Sequence, residues 1–238
     1  NMSYLTTDWY ANQLQYPTYD APAIDMIATP VDYGHDRLQF SYFLNPDTVN
    51  TVEVEESLKA LYDPSSFKNK WGMPEIKYPM MYIPVDAQAA LEAGRVEACK
   101  EAKIDNEIDV NIMNDAATAN DGGMSLNKVL ALDILATSVK NGWNRPVYFA
   151  MTVPDEYYLG LSKYMSNSGL AYEITPIITG DGNNIPVNTN KMYDNVMNKF
   201  RWGGIDKVTS PDDIYLDETI RRMVATHRSA MLDLATAL

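Results

Sequence analysis

SLNKVLALDILATSVKNGWNRPVYFAMTVP, residues Ser125 to Pro154, is the stretch on which the fold turns. Leu126, Val129, Leu130, Leu132, Ile134, Leu135 and Val139 recur at helical spacing over more than one face. A helix so patterned is expected to pack on two sides. Gly142, just past Lys140, suits the left-handed position that ends a helix. Val147-Tyr148-Phe149-Ala150-Met151 is nearly continuous in apolar and aromatic character, as expected of a strand covered on both faces. A few residues connect the two, so the stretch predicts one αβ unit.

Outward from it, the pattern predicts an α/β or α+β fold. Its sheet is mixed, partly parallel and central, flanked by helices, and it ends in a long amphipathic helix. Upstream, Met2–Leu5 reads as the tail of a strand, and Thr6, Thr7 or Asp8 as the cap of a helix over Trp9–Leu14. Residues 15–30 are rich in Pro and Tyr and read as an extended crossing, with strands expected near Leu38–Phe43 and Tyr78–Pro84. The prolines of the second push it toward a sheet edge. Asn111–Gly123 is small and polar and reads as a loop. Downstream, Asp155–Met165 and Asn190–Phe200 read as short helices and Leu170–Ile178 as a strand. Asp217–Ala237 reads as an amphipathic helix with Ile220, Met223, Val224, Met231 and Leu234 on its apolar side. The expected organisation is a single domain over 1–238 with an irregular insertion possible at 15–123. Both ends read as cut, as in a piece of a longer protein.

Composition excludes several classes. The chain has 238 residues, 46% hydrophobic and 21% charged, enough for a core and too apolar for global disorder. Its 32 acids against 19 bases give a net charge of −13, which repels phosphate. Nucleic acid and anionic membrane surfaces are therefore not expected partners. The one cysteine, Cys99, allows no internal disulfide and no cysteine zinc cluster. No apolar run reaches the roughly 18 residues of a membrane span.

No recognised catalytic motif is present, and no cofactor or metal is expected. Gly180-Asp181-Gly182-Asn183-Asn184 lacks the alternating acids and late Glu of a calcium loop. His35, beside Asp36, has the chemistry of an acid/base but no placed partner, and His227 reads as a surface residue. Asp133 stands out as an acid inside an apolar helix, where an unpaired charge is costly. Arg145 is its expected partner in a structural pair, an exposed stripe being the other reading. For ligand binding, Asp8, Trp9 and Tyr10 together with Trp202, Gly203 and Gly204 are the candidates. In each set an aromatic stands beside a helix start or glycine turn, where backbone donors are free and a sugar face can stack. Both tryptophans can equally be core anchors.

Leu5-Thr6-Thr7-Asp8-Trp9-Tyr10, Leu132-Asp133-Ile134-Leu135-Ala136, Trp143 to Ala150, Gly160-Leu161, Gly169 to Tyr172 and Met192 to Gly204 form an ordered set. In this order the chain resembles the soluble C-terminal part of a family of large bacterial inner-membrane proteins of long-unknown function. That family is similar to transmembrane protein O-mannosyltransferases, which use lipid-linked sugar donors. The resemblance implies a non-catalytic extracytoplasmic domain at the periplasmic face, partnered by the membrane half of the same polypeptide. It implies a role in holding acceptor protein or glycan, or in assembly, with catalytic carboxylates in the membrane half. A stand-alone glycan- or protein-binding module and a soluble α/β enzyme are the alternatives. Asp47-Thr48-Val49 also resembles the acceptor signature of bacterial O-glycosylation.

Overall fold

A computed structural model describes residues 2–28, 41–44, 50–63, 65, 68, 70–96, 104–114 and 122–238. Its helices are α1 (Asp8–Leu14), α2 (Val54–Tyr62), α3 (Ala87–Glu92), α4 (Leu126–Lys140), α5 (Thr189–Asp194) and α6 (Glu218–Ala237). Its strands are β1 (Ser41–Leu44), β2 (Val52–Glu53), β3 (Glu75–Ile76), β4 (Met80–Pro84), β5 (Glu107–Asn111), β6 (Gly123–Ser125), β7 (Tyr148–Ala150), β8 (Met165–Asn167) and β9 (Ala171–Ile174). His35, Asp47-Thr48-Val49, Cys99 and residues 115–121 of the expected loop lie outside the described residues.

The α/β class, the partly parallel pairing and the long closing helix are as expected. The strands, however, form three three-stranded sheets instead of one central sheet, in the orders β3-β1-β6, β2-β4-β5 and β7-β9-β8. Two pairs are parallel, β1 with β3 and β2 with β4. The 15–123 stretch supplies the first two sheets apart from the end of β6. Helix α4 takes the centre because apolar side chains surround its axis. Leu126, Val129, Leu130, Leu132, Leu135, Ala136 and Val139 are all buried, and α4 packs on the N-terminal turn, α2, β4 and β6. Each buried Leu or Val contributes about 1.5–3 kcal/mol relative to exposure.

The helix ends as its sequence requires. Gly142 has φ +69°, its N–H donates to Val139 C=O at 3.0 Å, and Trp143 N–H donates to Ser138 C=O at 2.8 Å. These two bonds are the Schellman closure of a helix on a left-handed glycine. The indole of Trp143 is then buried in the core.

Several local expectations are corrected. Met2–Thr6 is a 3-10 turn, not a strand tail, and its Leu5 is buried. The strand after Gly142 is shorter than Val147–Met151 and covered on one face, since Tyr148 and Ala150 are exposed and Phe149 is buried. Strand β4 is central in its sheet despite the prolines, because Pro79 precedes it and Pro84 is its last residue, beyond the end of β2. Asp155–Met165 forms two 3-10 turns, Asp155–Tyr157 and Ser162–Tyr164, interrupted by left-handed Leu159 and Gly160. Helix α6 buries only Ala230 and Leu234, against Met192 and Val196. Ile220, Met223 and Met231 stay exposed.

The expected Asp133–Arg145 pair does not form. Asp133 is fully buried, and its carboxylate accepts from Ile27 N–H and Ala28 N–H, each at 2.9 Å. Thr137 Oγ1 at 3.3 Å and the Tyr62 hydroxyl at 3.4 Å complete its shell. Arg145 instead donates through Nη1 to Pro22 C=O at 2.9 Å. Both side chains hold the same crossing segment, Pro22–Ala28, at different points. The carboxylate needs no cation because it satisfies two buried backbone donors that would otherwise be orphaned.

Burial pushes the Asp133 pKa upward, against the opposing pull of its hydrogen bonds. A carboxyl whose folded pKa exceeds its unfolded one stabilises the fold most below the ordinary carboxylate range, and that contribution is lost as pH rises through the raised value. Asp133→Asn offers one acceptor where the two backbone donors need two, and is expected to lower stability at pH 7 by about 1–3 kcal/mol in denaturant unfolding. Repeated across pH, the stability difference between wild type and Asp133→Asn should fall as pH rises. Gly142→Ala should cost about 1–2 kcal/mol through its left-handed backbone, read as a lower unfolding midpoint.

Candidate functional site

A groove of about 750 Å³ lies between the N-terminal turn, α1, α4 and β7. Its walls include Leu5, Tyr10, Ile134, Phe149, Val153 and Tyr157, and Glu156 is the one charged side chain that lines it. Each wall follows from a local pattern. Ile134 and Ala131 are half-buried apolar residues on neighbouring turns of one side of α4. Tyr10 is half-buried on α1. Phe149 is the inward residue of β7 and packs edge-on against Tyr158, ring centroids 5.5 Å apart. The mostly apolar lining with sparse polar groups is the character of a binding cleft.

Of the sequence candidates, Tyr10 lines this groove and Trp9 stands beside it, 55% exposed, so Trp9 is not a core anchor. Tyr4, Trp9 and Tyr10 form one aromatic cluster, with centroids 5.6–6.1 Å apart. Asp8 is exposed as the first residue of α1, while Thr7 occupies the cap position. Thr7 makes no side-chain cap, and its Oγ1 donates to Tyr4 C=O at 2.6 Å. Trp202, Gly203 and Gly204 belong to a different place. Trp202 is half-buried against Phe200 and His227, with centroids 6.2 Å and 5.4 Å away. Gly203 and Gly204 turn the chain with φ +60° and +90°. The six candidates therefore form two separate aromatic sites. His227 is a half-buried member of the second, not a plain surface residue.

The sequence reading missed Glu173. It is buried at the centre of the third sheet, on β9, with cations on both oxygens. Arg95 Nη1 donates to Oε1 at 2.8 Å and Lys191 Nζ to Oε2 at 2.5 Å. The Tyr148 hydroxyl donates to Oε1 at 3.2 Å. For Lys191, burial is the largest single influence and works against the charge, but the hydrogen bond and charge of Glu173 together with the Tyr148 hydroxyl outweigh it, and its pKa is raised. The signal was an acid within the apolar run Leu170–Ile174, the same signal that marked Asp133. The cluster fixes Tyr148 on β7 and thereby one wall of the groove.

A second cleft, of about 650 Å³, lies where α2, β4 and the end of α4 meet. Asp25, Glu53, Glu55 and Asp86 border it with Lys59 and Lys140. Glu55 bridges both lysines at 2.5 Å, and the Lys140 and Lys59 hydrogen bonds hold its carboxyl below the usual range. Both lysines sit on Glu55, so Asp25, Glu53 and Asp86 have no ion-pair partner among the described residues and the cleft keeps an acidic excess. Among the described residues, no three His, Cys, Asp or Glu side chains are grouped to hold a metal ion.

A family model described as TMEM260-associated domain 2 matches residues 1–195. The chain belongs to this family. The match covers the groove and the Glu173 cluster and stops short of Trp202 and α6. No curated protein and no solved structure matches the chain. The family's description ties it to a membrane protein, and among the described residues no helix is long and apolar enough to cross a membrane.

Trp9→Ala should leave the fold intact, lowering stability by no more than about 1 kcal/mol, because the residue is exposed and loses mainly its ring contacts. Thermal unfolding followed by circular dichroism checks this. A loss of cooperative unfolding would show Trp9 to be structural.

Proposed function

We propose that this chain is a non-catalytic extracytoplasmic domain of a membrane-bound, glycosyltransferase-like protein, standing at the periplasmic face and holding acceptor polypeptide for the membrane half. The observation that carries the reading is the apolar groove walled by Tyr10, Ile134, Phe149 and Tyr157, with exposed Trp9 beside it. It has the lining of a site that binds without reacting. The tie of the family to a membrane protein supports it, as does the resemblance of Leu132–Gly204 to the soluble part of O-mannosyltransferase-like membrane proteins. In this reading the donor sugar and the transfer chemistry belong to the membrane half, and the groove raises the local concentration of the acceptor.

The test uses the full-length membrane protein and a defined acceptor polypeptide, with sugar transfer followed by intact mass. Ile134→Lys, which places a charge in the groove wall, should raise the acceptor KM about tenfold and leave kcat nearly unchanged, the signature of lost ground-state binding. Transfer catalysed by the isolated 238-residue chain, or an unchanged KM, would overturn the proposal.

A further inference from the structure

The three sheets differ in how their edges are finished. In the third sheet, the β8 edge is closed. Asn167 N–H donates to Pro186 C=O at 2.8 Å and Asn188 N–H to Asn167 C=O at 2.9 Å. In the second sheet, β5 carries an outward N–H at Asp109, and the Tyr164 hydroxyl accepts it at 3.0 Å. The β7 edge has no such cover among the described residues.

The register shows which groups are open there. Val147 C=O accepts from Ile174 N–H, and Met151 N–H donates to Leu170 C=O. With Phe149 opposite Tyr172, residues 147, 149 and 151 aim their backbone groups at β9. Tyr148 and Ala150 therefore aim theirs away from it, as alternate residues of an antiparallel strand must. Ala150 C=O is taken by Val153 N–H at 2.9 Å. Among the described residues, Tyr148 N–H, Tyr148 C=O and Ala150 N–H have no partner. Both residues line the groove and both are exposed.

We propose that β7 receives an extended, lysine- or arginine-bearing peptide as a fourth strand of its sheet, with the groove taking every second side chain of the guest. This rests on the acceptor-holding reading above and specifies its mode. An open donor–acceptor–donor row two residues long is what an added strand consumes. A sugar or lipid has no repeating backbone to match it. The charge follows from the groove: Glu156 is its one charged lining residue, it is exposed, and Asp155 beside it is exposed too. The guest's cation complements both.

The experiment titrates the isotopically labelled 238-residue chain with an acetylated, amidated peptide of alternating valine and threonine with a lysine at each end. Amide hydrogen exchange at Tyr148 and Ala150 is expected to slow at least tenfold on saturation. Ala150→Pro deletes one open N–H that the fold does not use, and edge positions tolerate proline. It should weaken binding about tenfold, a loss on the scale of one backbone hydrogen bond. A peptide N-methylated at alternate residues gives the same readout without altering the protein: one of the two alternate methylation sets should abolish binding and the other should spare it. Glu156→Gln should weaken the lysine peptide severalfold and flatten its salt dependence. Peptide-induced shifts at Ile134 and Val153 with unchanged exchange at Tyr148 and Ala150 would overturn strand addition while leaving the groove reading intact. Absence of binding by the wild type would overturn both, and equal binding of a glutamate-bearing peptide would overturn the assignment of a basic guest.

Discussion

The fold depends on how one buried carboxylate is satisfied. Helix α4 is the only described element in contact with the N-terminal turn, α2, β4 and β6 together, and a helix so enclosed has no obvious room for a charge. Asp133 is tolerated there because the Pro22–Ala28 segment arrives with two N–H groups that need an acceptor. Each side offsets part of the desolvation penalty of the other. The same segment then sets the geometry of both clefts, since Ile24 lines the groove and Asp25, Met26 and Ile27 line the charged cleft. Thr137 adds a bond to Asp25 C=O, and Gln15 one to Ala28 C=O. A loop with little regular structure is thus fixed by side chains as well as by its backbone bond from Ile24 N–H to Leu14 C=O at 2.8 Å.

Glu173 plays a parallel part in the third sheet with the opposite solution. Its partners are cations, and two of them against one carboxylate leave a small positive excess inside an acidic chain. Truncating either carboxylate strands its partners in a dry interior, where an unpaired group costs far more than the pair contributed. Both acids are therefore scaffold. They hold the walls between which the groove opens, and neither faces the groove with free oxygens.

What the sequence disclosed depended on the range of the interaction. The helix–glycine–strand unit was readable because spacing, the left-handed glycine and the strand all lie within thirty residues. The N-cap of α6 at Asp217 was equally local, and its bond to Ile220 N–H at 2.8 Å follows the ordinary capping rule. Strand partners were not readable, since β1 pairs with β3 and with β6, both beyond α2 in the chain. For the same reason Arg145, twelve residues from Asp133, was the natural partner to expect, whereas the two backbone donors, Ile27 and Ala28, stand more than a hundred residues upstream. Of the candidate site, Tyr10 was found through its neighbours in the helix start, but the groove it lines is assembled from four separate elements. The link between Trp9 and Trp202 failed because shared residue type carries no information about proximity.

Helix α6 has a mechanical character of its own. It is about 30 Å long, yet its buried residues are Ala230 and Leu234, both in its C-terminal half, resting on a core of Met192 and Val196 separate from the main one. So small an apolar footing gives a local unfolding free energy well below that of the whole domain. With its other ties among the described residues limited to the His227 ring on Phe200 and Trp202 and to Asp233 on Asn167, the helix is expected to open before α4 and the three sheets do.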